Sequence, residues 1–311
     1  MPRAVRFERY GGVDVLEVVD VDPPQPTDDQ VVLRVKATGI NPFESKLRSG
    51  LFQADIPLSF PAAQGNDVAG VIEQVGANVH ELKPGDEVLG TTAKRGSQAE
   101  LALVAQARAV ARPSTVPWDV AGALWTVGTT AYATVAAVSA GAIEGDVVIV
   151  AGASGGVGGL AAQLARQRGA TVIGVAGEGS HAWLHSRGIV PVAYGDGLAE
   201  RVARAAAANG PPKALIDTVG RGYVELAIEL GIEPQRIDTI VDDEGAGRHG
   251  AKTDGAQAVA DPVAAVAEIV GLIAAGELEL PIAASFPLDQ VREAYTLLDN
   301  GHPPGKIVLI P

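Results

Sequence analysis

The sequence predicts an α/β fold of two domains, a partly open β-barrel domain and a doubly wound parallel sheet, and three observations predict it. An apolar, β-branched run, Val147 to Val150, leads straight into a glycine-rich turn and then into residues spaced as on a helix. Strand and helix patterns keep alternating from there to Ile240, the rhythm of a parallel sheet covered on both faces. Before it, residues 1 to 111 read as short strands punctuated by proline and glycine.

Composition bounds the function. A chain of 311 residues is long enough for two domains with their own cores, and 47% apolar with 20% charged residues is a globular balance. A net charge of −13 argues against general attraction to nucleic acid or an anionic membrane surface, so small-molecule partners are expected. With no cysteine, disulfides and thiolate zinc sites are excluded. The start, MPRAVRFERYGG, has charges and no apolar stretch, so no secretory signal is read there and a cytoplasmic location is expected.

In chain order, Ala4 to Phe7, Val15 to Val18 and Val31 to Ala37 are strand candidates, and the acidic, proline-rich VDPPQPTDD between the last two is a surface loop. GVIEQVG and KPGDEVLG follow, with hairpin turns marked by Gly76, Pro84 and Gly85. The uncharged run from Val120 to Ile143 is long enough to cross a bilayer, yet its glycines (122, 128, 141), threonines and serine deny it a continuous bulky surface. It reads as two short buried helices broken near Gly128. Then comes GDVVIVAGASGGVGGLAAQLARQRGAT, Gly145 to Thr171, with strand Val147 to Val150, a helix from Gly156 carrying Val157, Leu160, Ala161 and Leu164 on one face, and Gly169 as its cap. Ala153, Gly155 and Gly158 hold the positions of the dinucleotide fingerprint, alanine replacing its first glycine. Gly155 lets a pyrophosphate approach the backbone, Gly158 lets helix and strand approach each other, and the free N–H groups of the helix start face the phosphates. Further strands are Thr171 to Val175, Ile189 to Ala193, Ala214 to Asp217 and Arg236 to Ile240, with a helix from Leu198 to Ala208 between them. DDEGAGRHG, residues 242 to 250, reads as an exposed loop, and Asp261 caps a long helix from Pro262 to Ala275 that stops at Gly276.

The stretch from Gly145 to Arg166 resembles the signature of the quinone oxidoreductase (ζ-crystallin-like) family, a zinc-independent branch of the medium-chain dehydrogenase/reductase superfamily, departing at Ile149, where leucine is usual. GINPFESKLRSG, residues 39 to 50, is similar to that family's NP-x-D-x-x-x-R loop: Asn41, Pro42 and Arg48 match, and Glu44 takes the Asp position. GSQAELALV, VGTTAY and the tail from Pro281 match further segments less specifically. The resemblance implies a GroES-like barrel built from residues 1–118 and 277–311, and a Rossmann domain from 119–276. It also implies that the catalytic zinc of related alcohol dehydrogenases has no ligands here, since Asn66 in GNDVAG stands where they place histidine. Of the five histidines, at 80, 181, 185, 249 and 302, His181 and His185 alone have helical ligand spacing, and that pair is read as a solvated helix face rather than as metal ligands.

The expected activity is NADPH-dependent, metal-free hydride transfer to a quinone or an α,β-unsaturated carbonyl, with a non-catalytic NADPH-binding protein of the crystallin type as the competing reading. Without zinc, charge developing on the acceptor oxygen needs hydrogen-bond donors. Asn41 and the ribose hydroxyl are the candidates, with Lys46 for charge stabilisation or proton delivery, or else as a solvated loop lysine. By resemblance, Thr130 lies near the nicotinamide ribose, and Thr218 and Val219, in the DTVG turn after Asp217, touch the cofactor with Ser154, Gly155, Gly156 and Val157. NADPH is preferred over NADH because Ala176 and Gly177 follow the second strand, where NAD-binding relatives carry an acid. Ser180, His181 and Tyr194 are the expected contacts of the 2′-phosphate, while Glu178 would oppose it if turned inward. An imidazole contact would strengthen this preference on acidification toward about pH 6. A homodimer that pairs the edges of its nucleotide-binding sheets is carried over from the family.

Overall fold

The computed structural model describes residues 1–311 apart from 93, 140–142, 257, 258 and 302, so Gly141 and His302 lie outside the described residues. The chain divides into two compact units, Met1–Thr126 with Val266–Pro311, and Val127–Ala265.

The first unit begins with β1 (Arg3–Phe7), β2 (Glu17–Asp20) and β3 (Gln30–Gly39), then α1 (Pro42–Arg48), β4 (Ala62–Ala63), β5 (Asp67–Val75), β6 (Glu87–Thr91), β7 (Leu101–Ala105), β8 (Ala109–Ala111) and α2 (Trp118–Gly122). Its organising strand is β3. Residues 31–37 of β3 run along β5, while β7 takes residues 30–34 and the C-terminal strand takes Thr38 and Gly39, so one long strand joins three neighbours. Two register shifts in the β3–β5 ladder let it bend. Val31, Leu33, Val35, Val68, Ile72, Val88 and Val104 fill the core beneath it. The second expected strand starts two residues late, because Val13–Val15 closes as a 3₁₀ turn that buries Val15 and Leu16.

The uncharged run is broken at Ala123, between α2 and α3 (Leu124–Ser139), and α3 passes unbroken through Gly128. Close packing sets the break. A Cβ on Gly122 would sit 2.5 Å from the Ala37 carbonyl oxygen, and one on Gly39 would sit 2.8 Å from Ala123 Cα, so this turn lies directly on β3. Among the described residues no helix is long and apolar enough to cross a membrane.

The second unit carries β9 (Val147–Ala151), α4 (Gly156–Gln167), β10 (Thr171–Ala176), α5 (His181–Ser186), β11 (Val190–Ala193), α6 (Leu198–Ala206), β12 (Pro212–Asp217), α7 (Tyr223–Glu229), β13 (Ile237–Thr239) and α8 (Asp243–His249). Its sheet is ordered β11-β10-β9-β12-β13 with every pair parallel, the doubly wound arrangement the alternation predicts. All five residues of β9, the central strand, are buried, as its unbroken apolar run requires. Residues 242–250 are a capped helix rather than a loop: Asp242 Oδ1 accepts from the Gly245 amide at 2.8 Å, and Gly250 closes the end at φ +71°.

After α9 (Pro262–Ala274), whose start is capped by Asp261 through the Ala264 amide at 2.9 Å, the chain ends in β14 (Ile282–Pro287), α10 (Val291–Asn300) and β15 (Lys306–Ile310). β15 lies antiparallel to β3, and Ile307, Leu309, Val291 and Tyr295 share a core with Val5, Phe7 and Leu16. The first unit is therefore closed by both ends of the chain, as the tail implies.

Candidate active site

In the second unit the turn after β9 is built for close approach. Gly152 takes φ +76°, and its N–H and that of Ala153 both donate to the Val175 carbonyl, at 3.0 and 3.1 Å, pinning the turn to β10. A Cβ on Gly158 would lie 2.2 Å from the Gly152 carbonyl oxygen, so only glycine lets α4 sit this near the strand. Gly155 differs, since a Cβ there would meet only that same oxygen, at 3.4 Å. Its freedom is not needed by the fold. What it leaves clear is the space before the first turn of α4, whose leading N–H groups have no intrahelical acceptor. Ser154, Gly155, Gly156 and Val157, all half-buried, line this turn.

Thr218 closes one side of the turn: its Oγ1 donates to the Ala151 carbonyl at 2.7 Å and lies 2.4 Å from where a Cβ on Gly152 would stand. Asp217, fully buried, holds the following residues by accepting from the Val219 and Gly220 amides at 2.9 and 2.8 Å, and from Thr239 Oγ1 at 2.8 Å. Burial pushes its carboxyl above the usual range against those bonds. Val219 is left 38% exposed at the strand end.

At the end of β10, Ala176 is buried, Gly177 half-buried and Glu178 exposed. The Glu178–Ser180 turn leads into α5, where His181 Nε2 lies 3.3 Å from the Ala176 carbonyl. Tyr194, 66% exposed, reaches across from the end of β11, its Cε1 3.6 Å from where a Cβ on Gly177 would be. So the structure gathers Gly177, His181 and Tyr194 at adjacent strand ends. Thr130 is half-buried within α3, and His185 is exposed on α5.

The first unit holds a buried polar cluster around Asn41, which is 3% exposed and caps α1 in a reciprocal box with Glu44. Asn41 Oδ1 accepts from Lys306 Nζ at 2.5 Å, while Nδ2 donates to Asp67 at 3.2 Å and to Glu44 at 3.4 Å. An ammonium on one side and two carboxylates on the other fix the amide's orientation. They also engage both its hydrogens. Asp67 further accepts from the amide and hydroxyl of Thr126, and Glu44 from Tyr295 Oη at 2.6 Å, Gln98 and the Asn66 amide.

One buried ammonium thus stands near two buried carboxylates, linked to them through the Asn41 amide. Burial raises both carboxyls, Lys306 pulling Asp67 back and the Tyr295 hydroxyl pulling Glu44 back. Burial lowers Lys306 despite both acids, and burial with Glu44 beside it lifts the Tyr295 phenol well above its ordinary range. Lys46, by contrast, is exposed on α1. Sequence reasoning singled out the exposed lysine and missed the buried one. Lys306, Asp67, Gln98 and Tyr295 come from separate segments, and the one local signal was a lysine opening the apolar closing run KIVLI.

Two family domains match this chain. Residues 27–140 match the alcohol dehydrogenase GroES-like domain, and residues 192–309 match the zinc-binding dehydrogenase domain. Human quinone oxidoreductase is 41% identical over 176 residues, 56% of this chain, so the match spans about half (53%) of that relative's length. The Pseudomonas aeruginosa quinone oxidoreductase is 28% identical over 100% of both chains. Among solved structures, the quinone oxidoreductase of Pseudomonas syringae pv. Tomato DC3000 is 26% identical with a TM-score of 0.84 over 100% of both chains. The Escherichia coli quinone oxidoreductase complexed with NADPH shares the fold at a TM-score of 0.84 and 23% identity, covering 99% of this chain and 100% of that one. With a GroES-like unit, a doubly wound parallel sheet and these relatives, the chain belongs to the quinone oxidoreductase (ζ-crystallin-like) family of the medium-chain dehydrogenases/reductases.

Proposed function

We propose that this chain is an NADPH-dependent, metal-free reductase that passes a hydride to a quinone or an α,β-unsaturated carbonyl. The observation that carries the reading is Gly155: the fold does not require its missing Cβ, and a pyrophosphate at the start of α4 does. Zinc fits poorly despite the name of the matching domain. The sequence has no cysteine, and among the described residues no three His, Asp or Glu side chains gather as a metal would need.

When bound, the nicotinamide would supply the hydride, and the residues of this chain bind and orient it. Ser154, Gly155, Gly156 and Val157 hold the pyrophosphate, Thr218 and Val219 bound it at the end of β12, and Thr130 takes the nicotinamide ribose. Gly177, Ser180, His181 and Tyr194 receive the 2′-phosphate. With His181 Nε2 turned to the Ala176 carbonyl, Nδ1 is the ring nitrogen left to face a phosphate. Since both amide hydrogens of Asn41 are committed, the ribose hydroxyl is the better donor to the acceptor oxygen, and Lys46 is retained for the charge that develops there. A cytoplasmic homodimer is carried over from the family.

The test is NADPH oxidation with a simple quinone and a simple enone, before and after dialysis against a strong chelator. Turnover that is unchanged by chelation and favours NADPH over NADH by about tenfold or more is expected, with part of that preference lost in His181→Ala. Tight NADPH binding without turnover would leave a non-catalytic NADPH-binding protein, and a loss restored by zinc would end the metal-free reading.

A further inference from the structure

Three carbonyl groups, one at the end of β11 and two in the loop after it, accept from one side chain. Arg201, on the first turns of α6, donates from Nε to the Ala193 carbonyl at 3.0 Å, from Nη2 to Gly195 at 2.9 Å and from Nη1 to Asp196 at 2.6 Å. Among the described residues it forms no ion pair with a carboxylate, so these neutral oxygens are its hydrogen-bond partners. The loop needs such a grip. Gly195 at φ +99° and Gly197 at φ +75° flank Asp196, and an ungripped loop with two glycines would sample many conformations. A planar guanidinium holds several acceptors in one fixed arrangement, whereas the three donors of an ammonium radiate from a single rotatable point.

The residue that this grip immobilises is Tyr194, between the first two gripped carbonyls. Its side chain is 66% exposed, so packing does little to place it, yet its ring lies beside Gly177 at the end of β10. Resting on the NADPH reading above, we infer that Arg201 is a positioning residue that sets the preference for a 2′-phosphorylated cofactor by holding Tyr194 beside Gly177. It acts from the loop's backbone and not by touching the reacting atoms. Glu178 and Asp196, both exposed acids in these turns, make a fixed and correctly aimed hydroxyl matter more, because a phosphate there has repulsion to overcome.

The experiment titrates the full chain with NADPH and with NADH, following nicotinamide fluorescence, in the wild type, Arg201→Gln, Arg201→Lys and Tyr194→Ala, and in the Tyr194→Ala/Arg201→Gln double variant. Arg201→Gln is expected to weaken NADPH about tenfold and NADH less than about threefold, with kcat at saturating NADPH within about twofold of wild type. Arg201→Lys keeps the charge but not the fork, so it should lose most of the preference too, and it serves where the glutamine variant does not fold. The double variant should be no worse than Tyr194→Ala alone. Equal weakening of both cofactors, an unchanged ratio, or full rescue by lysine would overturn the inference. A wild type that binds neither cofactor would instead sink the functional reading itself.

Discussion

Asp238 is fully buried in the second unit, where Thr134 Oγ1 donates to its carboxylate at 2.5 Å and the Gly255 amide at 3.1 Å. Burial outweighs these bonds and raises the carboxyl from 3.8 to about 6. The folded protein therefore holds this proton more tightly than the unfolded chain does. Stability from this group is fully present below about pH 4 and is lost as pH rises through about 6, by an amount on the order of 3 kcal/mol. Asp238→Asn should keep both contacts, its Oδ1 accepting from Gly255 and its Nδ2 donating to Thr134. Urea denaturation from pH 4 to 8 is expected to show the variant gaining on the wild type as pH rises, with most of the gain complete by about pH 7. A constant difference across that range would place the carboxyl's pKa near its ordinary value.

At the scale of elements, the turn after β9 gives a steric measure to the different roles expected of its two fingerprint glycines. A methyl on Gly158 would strike the Gly152 backbone at 2.2 Å, whereas one on Gly155 finds 3.4 Å, a contact the turn can accommodate. Gly158→Ala is expected to lower stability by about 2 kcal/mol or more, as overpacking against backbone does. Gly155→Ala should melt within a few degrees of the wild type and yet bind NADPH several-fold more weakly. Thermal melts paired with cofactor titration check both, and unchanged affinity in Gly155→Ala would move the pyrophosphate away from this turn. The spacing of the fingerprint was legible in the sequence, because period and glycine content are local. The steric reason for the difference was not, because it depends on where the Gly152 carbonyl comes to lie.

For the whole molecule, the expected dimer through paired sheet edges meets an occupied edge. The outer face of β13 is taken by this chain's own Lys252, whose carbonyl accepts from Thr239 at 3.0 Å and whose N–H donates to Ile237 at 2.9 Å, while the Ala251 N–H goes to Ala246. Lys252 Nζ is also tied to the Ala137 carbonyl at 2.8 Å. At the opposite edge β11 carries Pro191, which has no N–H to offer an added strand. A homodimer of this protein is therefore expected to use a face other than these edges. In hydrogen exchange, Thr239 and Lys252 should be protected at every protein concentration. Protection of Thr253 that grows with concentration would show edge pairing, and light scattering that reports a monomer at micromolar concentration would end the dimer altogether.

The return of the tail was implied by the family resemblance, while the sequence by itself determined the doubly wound sheet and the place of the glycine turn after its central strand, both written in local periods, turn residues and apolar runs. It misplaced the break in the uncharged run and took residues 242–250 for a loop, because Gly122 lying on β3 and the Asp242 and Gly250 caps are decided by packing and backbone geometry. Only the tertiary structure decided the Asn41 cluster. Glu44, Asp67 and Lys306 bond one amide, and Gln98 and Tyr295 bond Glu44, although the five are spread over more than 250 residues, because β3, β5, α10 and β15 meet in one unit. A buried charge is stabilised by partners in space, and distance along the chain does not record them.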